Sequence, residues 1–458
     1  MKKYITFGNW DPNYKYIFLS ILFLALYKMS VGFGLDGNPK YSFRLFNNKT
    51  FSANYLIHDI FLYFMSIIVS VIIIIIETIS KNKLKKEKLK ERNTEELDNV
   101  DKNSSKNDIN LIYKKKEGKR YSIFFILSII FLDIILGQFS LIFNKFFIHV
   151  NFWMVELYFV SYLYLKTFKI KIYKHQYVAF AINFVSIILV FVKIILTIKE
   201  NDEKKAIYVK YWWLIFIGPI IFLIYAYLLS YVFVSLKKIF YYKFTPVSKI
   251  YFFNSVFAFL FCIILCIIFT YNLCGEKIEN SLETKDYVCK VISNDNTTYI
   301  DNFKVYLLEK WENSSKEEKT QEILNSILGN IFFSIYKYFS YKIIESLTPF
   351  HRIFSGSVYY FAQQLILLCV FFIKIIKDEN IYLKIKISMD FISDFLCIIT
   401  FFIYSEIIEL NFCNLNYDIR KNIILRGLDN DFQLDDLNRS TINDELDDDT
   451  NIDELTSI

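Results

Sequence analysis

Long runs of apolar residues, separated by polar connectors, dominate the pattern along this chain. A helix needs about 20 mostly apolar residues to cross a hydrocarbon core of about 30 Å. Ten windows meet this requirement, so the pattern predicts ten transmembrane helices. Their approximate residue numbers are 16–33, 55–78, 121–144, 148–166, 175–198, 211–235, 250–272, 324–343, 353–376 and 387–409.

The lengths of the connectors repeat between the first five and the last five predicted helices. A medium connector follows the first and sixth helices, a long one follows the second and seventh, and two short ones come next. An odd number of spans per half inverts the second half relative to the first, as in many transporters. We therefore predict an all-α integral membrane fold of two inverted five-helix halves, residues 1–198 and 199–410, followed by a tail over 411–458.

The composition agrees with a membrane protein and not with a soluble enzyme. Hydrophobic residues make up 54% of the chain and charged residues 22%, and the mean hydropathy is +0.31. A soluble protein of this length is normally more polar. Because 100 charged residues (53 basic and 47 acidic) cannot be spread through a bilayer, they are expected to cluster between the apolar runs.

The positions of the charges predict the orientation. The linker over residues 80–120 carries 14 basic and 8 acidic residues, whereas the loop over 273–323 carries 7 and 11. Basic connectors stay in the cytosol, so the linker is predicted inside, the loop outside and both termini cytosolic. The tail has 11 acidic residues between Asp429 and Glu454 and reads as disordered. The pattern does not distinguish the plasma membrane from an internal membrane.

A stretch in the first half resembles a known family. It runs from Phe152 to Val192 and contains Glu156, a Tyr164-Leu165-Lys166 helix exit, a lysine-rich bend and Gln176-Tyr177-Val178 at the start of the next helix. This stretch is similar to the fourth and fifth helices of the drug/metabolite transporter superfamily. The resemblance implies ten helices in two inverted halves, cytosolic termini and transport of metabolites such as nucleotide sugars, sugar phosphates or amino acids.

A second resemblance concerns the end of the last helix. The segment Tyr404-Ser405-Glu406-Ile407-Ile408-Glu409-Leu410-Asn411-Phe412-Cys413-Asn414-Leu415-Asn416 resembles a C-terminal segment of uncharacterised eukaryotic multipass proteins. That resemblance implies no activity. We expect this segment to cap and dock the helix end, because polar residues at helix ends usually serve as caps.

Asp133 and Glu156 are the leading candidates for a functional role inside the membrane. A carboxylate at mid-membrane is costly and tends to face a cavity. Each of the two lies about 12 to 18 Å from the outer connector at 1.5 Å per residue, so they could share a proton in proton-coupled transport. The alternative is that each forms a hydrogen bond with Ser, Tyr or Asn on a neighbouring helix.

Further polar residues lie at membrane depth with less specific interpretations. Asp394 has either a site role or a packing or homodimer role, and Asp390 is expected to be solvated. Lys193 is expected to snorkel, and Lys337 either snorkels or binds an anionic substrate. On the ninth helix, which is expected to line the cavity, Tyr360, Gln363 and Gln364 either contact the substrate or form hydrogen bonds between helices.

The predicted outer segments carry candidates for covalent modification. Cys274 and Cys289 lie 15 residues apart in the outer loop, where a disulfide could form as a structural staple. Candidate glycosylation sites there and in the first outer connector are Asn48, Asn296 and Asn313.

These features favour a secondary transporter of a small polar metabolite, working by alternating access. The alternative is a non-transporting receptor or scaffold that acts through its outer loop and tail. No catalytic triad, phosphate-binding glycine loop or clustered metal ligands are present in the sequence, so we expect neither an enzyme nor a metal or cofactor site. The expected partners are the lipid bilayer, a small polar solute and a second copy of the chain in a homodimer, without nucleic acid.

Overall fold

The structure is a computed structural model, and it describes the helices together with several short strands. The described residues are 5–7, 11–31, 33–34, 42–43, 55–95, 123–146, 153–168, 172–200, 214–243, 245–270, 289–291, 298–300, 315–377, 381–411 and 415.

Within these ranges the chain forms ten α-helices, and each overlaps one of the ten predicted windows. Because a backbone in hydrocarbon must satisfy its own hydrogen bonds, apolar runs of this length fold as helices. A short 3-10 helix, Pro12–Tyr14, precedes the first. The helices are α1 Lys15–Val31, α2 Tyr55–Glu95, α3 Ile123–Phe146, α4 Trp153–Phe168, α5 Lys174–Glu200, α6 Leu214–Lys243, α7 Val247–Thr270, α8 Lys316–Ser346, α9 Pro349–Lys377 and α10 Ile381–Tyr404.

Six of the described helices are long and apolar enough to cross a membrane, so the protein is a multi-pass integral membrane protein. A shorter apolar stretch, Phe125–Gly137, lies in α3. The six apolar spans are Ile57–Lys83 in α2, Lys174–Lys193 in α5, Ile220–Tyr241 in α6, Val247–Ile268 in α7, Pro349–Phe371 in α9 and Lys384–Tyr404 in α10.

The spans expose apolar side chains at their surfaces, as expected for contact with lipid. On α2, for example, four isoleucines are exposed: Ile72, Ile75, Ile76 and Ile79. Serines on the opposite side of the same helix, Ser66 and Ser70, are buried. In a soluble protein the apolar face of a helix is buried and the polar face is exposed. Here the apolar face is exposed, because the bilayer solvates it.

Helix α2 extends past its apolar span and into the predicted basic linker. The span ends at Lys83, whereas the helix continues to Glu95. Lys, Glu, Leu and Arg dominate this extension, and all four residue types favour helix.

Three two-stranded antiparallel ribbons accompany the helices in the described residues. β1 (Ile5–Phe7) pairs with β6 (Ile408–Leu410), with Thr6 opposite Glu409. The other two ribbons are β2 (Phe33–Gly34) with β3 (Ser42–Phe43), and β4 (Cys289–Val291) with β5 (Thr298–Ile300).

The chain forms two compact units. The terminal unit comprises Met1–Trp10, Lys171–Asn183 and Ile399–Ile458. Its described core joins the start of α5 to the end of α10, where Ala179 packs with Ile403 and Leu410. Here α10 ends at Tyr404, and Glu406 adopts a left-handed backbone conformation with φ of 57° before β6 begins.

The main unit comprises Asp11–Ile170 and Phe184–Ile398. In it, α1 packs along α8, α2 packs along α7 and α8, and α4 packs along α6. The contact between α1 and α8 is built around Leu24 and Tyr336, with Tyr359 of α9. The interior polar side chains described next all belong to this unit.

Candidate functional site

Asp133 forms a hydrogen-bonded group with side chains from two other helices. Its Oδ2 atom accepts hydrogen bonds from Asn254 Nδ2 of α7 and from the Tyr341 hydroxyl of α8, each at 2.7 Å. Asn254 Nδ2 also donates to the Tyr341 hydroxyl oxygen. These contacts match the Tyr and Asn partners that the sequence offered as the structural alternative for Asp133. We name this group the Asp133 network. It also includes three residues that extend it to α2: Tyr251, Ser334 and Ser66.

The Asp133 network continues towards α2 through a tyrosine and two serines. The Tyr251 ring lies 6.0 Å from that of Tyr341, centroid to centroid. The Tyr251 hydroxyl donates to the Ser334 carbonyl oxygen at 2.8 Å, and Ser334 Oγ lies 2.8 Å from Ser66 Oγ. Polar side chains therefore link four helices through the interior of the main unit.

Glu77 anchors a further part of this network, and the sequence analysis did not identify it. Its two carboxylate oxygens accept hydrogen bonds from Ser248 Oγ at 2.7 Å and from the Tyr338 hydroxyl at 3.0 Å. A usable signal was present, because Ser66, Ser70 and Glu77 recur at helical spacing and form a polar stripe on one face of α2.

Asn330 lies one turn before Ser334 on α8 and is only 1% exposed. Among the described residues, neither its Oδ1 nor its Nδ2 atom has a hydrogen-bond partner. A buried amide without partners costs about 1–3 kcal/mol, and in a native fold such a group is often functional. Asn330 was not among the predicted site residues.

Arg352 lies in the first turn of α9, where its guanidinium contacts side chains of two other helices. Its Nη2 atom donates to the Tyr336 hydroxyl at 2.8 Å. The guanidinium carbon lies 5.4 Å from the centroid of the Tyr336 ring and 5.9 Å from that of the Phe233 ring on α6. Cation–π contacts of this kind stabilise a cation away from bulk water. We name Arg352 and its surroundings the Arg352 site.

The turn that carries Arg352 is fixed by hydrogen bonds. Lys237 of α6 donates to the carbonyl oxygens of Glu345 at 2.8 Å and Leu347 at 2.7 Å, which terminate α8. His351 Nδ1 lies 2.7 Å from the Thr348 hydroxyl. A cation at the last carbonyls of a helix is favourable, so Lys237 positions the start of α9.

Glu156 is buried in the first turn of α4, at 8% exposure. Arg352 is the cation that acts on its carboxylate electrostatically. No hydrogen bond joins Glu156 to Asp133 among the described residues, and the partners of the two carboxylates differ. The structure thus brings Glu156 to the Arg352 site, whereas Asp133 belongs to its own network.

The three candidates on α9 occupy different environments. Tyr360 is 37% exposed, and its hydroxyl is within electrostatic range of Glu156, Arg352 and Asp394. Gln363 is half-buried. Gln364 is also half-buried, and its Oε1 atom has no hydrogen-bond partner in the described part of the chain. Of the three, the structure places Tyr360 with the Arg352 site.

Asp394 is buried on α10, one turn from an ion pair that was not predicted. Lys193 of α5 contacts Asp390 at 2.6 Å, with side-chain exposures of 12% and 14%. The expectation of a solvated Asp390 is therefore wrong, and Lys193 has a carboxylate partner where snorkelling was expected. Both charges also act on Asp394.

Lys337 lies on α8, half-buried, with its ammonium 5.9 Å from the centroid of the Phe333 ring one turn earlier. Among its described contacts the structure records no acidic partner. The structure therefore leaves both predicted interpretations of Lys337 in place.

The modification candidates fall largely outside the described residues. Cys274, Asn48, Asn296 and Asn313 are not described, and for Cys289 only the backbone is, as the first residue of β4. The disulfide and the glycosylation sites stay predictions.

Comparison of the chain with known protein families, with curated proteins and with solved structures finds no match.

Proposed function

We propose that this protein is a secondary transporter that moves a small polar metabolite across its membrane by alternating access. The observation that carries the proposal is the Arg352 site, where a cation, a buried carboxylate and tyrosine hydroxyls from α4, α8 and α9 meet inside a membrane protein. Charged groups within a membrane are expensive to maintain and typically mark substrate or ion pathways.

The proposal includes ten spans in two inverted halves, as the resemblance to drug/metabolite transporters implies. Contacts of α1 and α8 support spans beyond the six apolar ones. Tyr16 lies 6.3 Å from Phe339 and Tyr27 lies 4.8 Å from Phe333, measured between ring centroids, so α1 runs antiparallel to α8. Hydrogen bonds from α8 reach α2 at Ser66 and again at Glu77. At 1.5 Å per residue, these two contacts on α2 lie about 16 Å apart.

We further propose that a proton gradient drives the transport and that Glu156 takes up the proton. Asp133 was the other candidate, but it accepts two hydrogen bonds from Asn254 and Tyr341. Those two hydrogen bonds assign Asp133 to helix packing in this proposal. Glu156 is buried and lies within electrostatic range of the substrate-facing groups Arg352 and Tyr360.

Uptake into vesicles tests the proposal. The full-length protein is reconstituted into liposomes, and a panel of radiolabelled amino acids, sugars, sugar phosphates and nucleotide sugars is offered with and without a pH gradient. We expect one class to accumulate, and we expect Glu156→Gln and Arg352→Gln to lower its uptake at least tenfold. Lys342→Gln is the matched control, since Lys342 pairs with Glu345 outside the Arg352 site. No uptake above protein-free liposomes would contradict the proposal.

A receptor or scaffold is the second candidate, and the Asp133 network favours it. Interhelical hydrogen bonds among Asp133, Asn254 and Tyr341 fix helix positions in a protein that need not move. A scaffold predicts no uptake of any solute, and it predicts that Glu156→Gln alters stability alone. The same liposome assay, combined with thermal unfolding of each variant, distinguishes the two candidates.

A further inference from the structure

Arg352 and Glu156 are a basic and an acidic side chain of the main unit that lie within electrostatic range of each other. The charge of Arg352 acts on Glu156, yet no ion pair or hydrogen bond joins the two among the described residues. A guanidinium has five N–H donors, and the described contacts of Arg352 use Nη2 for the Tyr336 hydroxyl. Both side chains therefore have hydrogen-bonding atoms that the described contacts do not use. Because burying a charge is costly unless it is paired, a polar ligand that pairs with them would be favourable.

Gly356, one turn after Arg352 on α9, adjoins open space. Arg352, Gly356 and Tyr360 are spaced four residues apart, so they lie one above the other on one face of the helix. A Cβ atom built on Gly356 would meet no heavy atom within 4 Å. The Phe233 and Tyr336 rings flank the guanidinium, so apolar surface lies beside the charges.

We propose that the Arg352 site binds a small zwitterionic solute of the amino-acid type. The carboxylate of the solute accepts hydrogen bonds from Arg352, which suits a planar bidentate acceptor. Its ammonium group pairs with Glu156, and its side chain lies against the aromatic rings. A zwitterion supplies a partner for Arg352 and for Glu156 in its ionised form, whereas a solute with only one charge supplies a partner for only one of them. This inference rests on the proposed function and specifies its substrate class.

Binding to the purified full-length protein tests the inference separately from transport. The probes are the standard amino acids, taurine and glycine betaine, measured by thermal shift and by radioligand binding. For each amino acid that binds, its N-acetyl derivative supplies the anion alone and its amide supplies the cation alone. We expect the zwitterion to bind at least tenfold more tightly than either derivative.

Variants assign the two ends of the solute. We expect Glu156→Gln to weaken binding of the amino acid at least tenfold and to leave the weak binding of the N-acetyl derivative unchanged. Arg352→Lys keeps the charge but removes the planar pair of donors, so it should also weaken binding of the amino acid. Lys342→Gln is the control, and a gel-filtration profile like that of the wild type shows that each variant is folded.

The outcomes separate the two proposals. Binding of zwitterions without uptake would overturn transport and keep the inference. Uptake of a solute that carries a single charge or none would keep transport and overturn the inference. The inference is also overturned if none of the zwitterions binds, or if binding is the same in Glu156→Gln.

Discussion

Asp133 lies within an apolar run, yet three helices share its interactions. Sequence periodicity identified Asp133 as a carboxylate at membrane depth but could not identify Asn254 and Tyr341 as its partners, which lie more than a hundred residues away. The Arg352 site was missed for a similar reason. The guanidinium of Arg352 contacts Tyr336 and Phe233, which belong to two other helices.

The Asp133 network leads to a stability prediction. Asp133→Ala leaves the donors of Asn254 and Tyr341 without an acceptor, and we expect it to cost about 1–3 kcal/mol. Asp133→Asn keeps an oxygen that can accept both hydrogen bonds, so its cost should be smaller. Tyr341→Phe removes one interhelical bond, worth about 0.6 kcal/mol. Unfolding in detergent, followed by intrinsic fluorescence, measures the three variants, and equal losses for Ala and Asn would refute this role of Asp133.

The Lys193–Asp390 pair gives a second prediction at this scale. Because both side chains are mostly buried, Lys193→Met leaves an uncompensated carboxylate and should cost about 3–5 kcal/mol. Adding Asp390→Asn removes that charge and should restore part of the stability. The pair Lys342–Glu345, which is more accessible, with side-chain exposures of 25% and 29%, serves as the control, and Lys342→Met should cost less than about 1 kcal/mol. The same unfolding measurement applies, and a double variant no more stable than Lys193→Met would count against the pairing.

At the scale of elements, the pairing of β1 with β6 joins residues 5–7 near the start of the chain to residues 408–410, which follow α10. Because Thr6 lies opposite Glu409, their Cβ atoms should be about 4.5–5.5 Å apart, close enough for a disulfide after small adjustments. We expect Thr6→Cys/Glu409→Cys to cross-link in oxidised membranes when Cys413→Ser removes the nearby natural thiol. The cross-linked peptides are detected by mass spectrometry.

The control for this cross-link shifts the register by one residue. Thr6→Cys/Ile408→Cys places the two side chains on opposite faces of the ribbon, so little cross-linking is expected. Equal yields from the two pairs would mean that the strands do not pair in the register Thr6 to Glu409.

The helices themselves were largely predictable, and the departures have physical causes. An apolar run of this length satisfies its backbone hydrogen bonds in a bilayer by folding as a helix, and each of the ten windows contains a helix. The boundaries were less predictable where polar residues also favour helix. Helix α2 continues through its Lys/Glu-rich extension to Glu95, and α8 begins at Lys316. The β1–β6 ribbon could not be predicted, because three-residue strands at opposite ends of the chain carry no periodic signal.

At the scale of the whole molecule, α8 differs in composition from the six apolar spans. It carries Lys, Glu, Ser and Tyr along its length, and it contributes Asn330, Ser334, Tyr336 and Tyr341 to the interior polar groups. A helix that lines the interior needs fewer apolar residues than one that faces lipid. The low hydropathy of α8 is therefore expected for a helix that packs against α1 and α2.

The number of spans gives the last prediction. If α3 and α4 both cross the bilayer, the connector between them, residues 147–152, lies on the opposite side from the basic linker. We expect Val150→Cys and Asn296→Cys to react with a membrane-impermeant maleimide applied outside, and Asn103→Cys to react only after permeabilisation. Each is placed in a variant from which the 7 natural cysteines have been removed. If α3 and α4 both stay on one side, Val150→Cys must react as Asn103→Cys does, and the ten-span arrangement is then wrong.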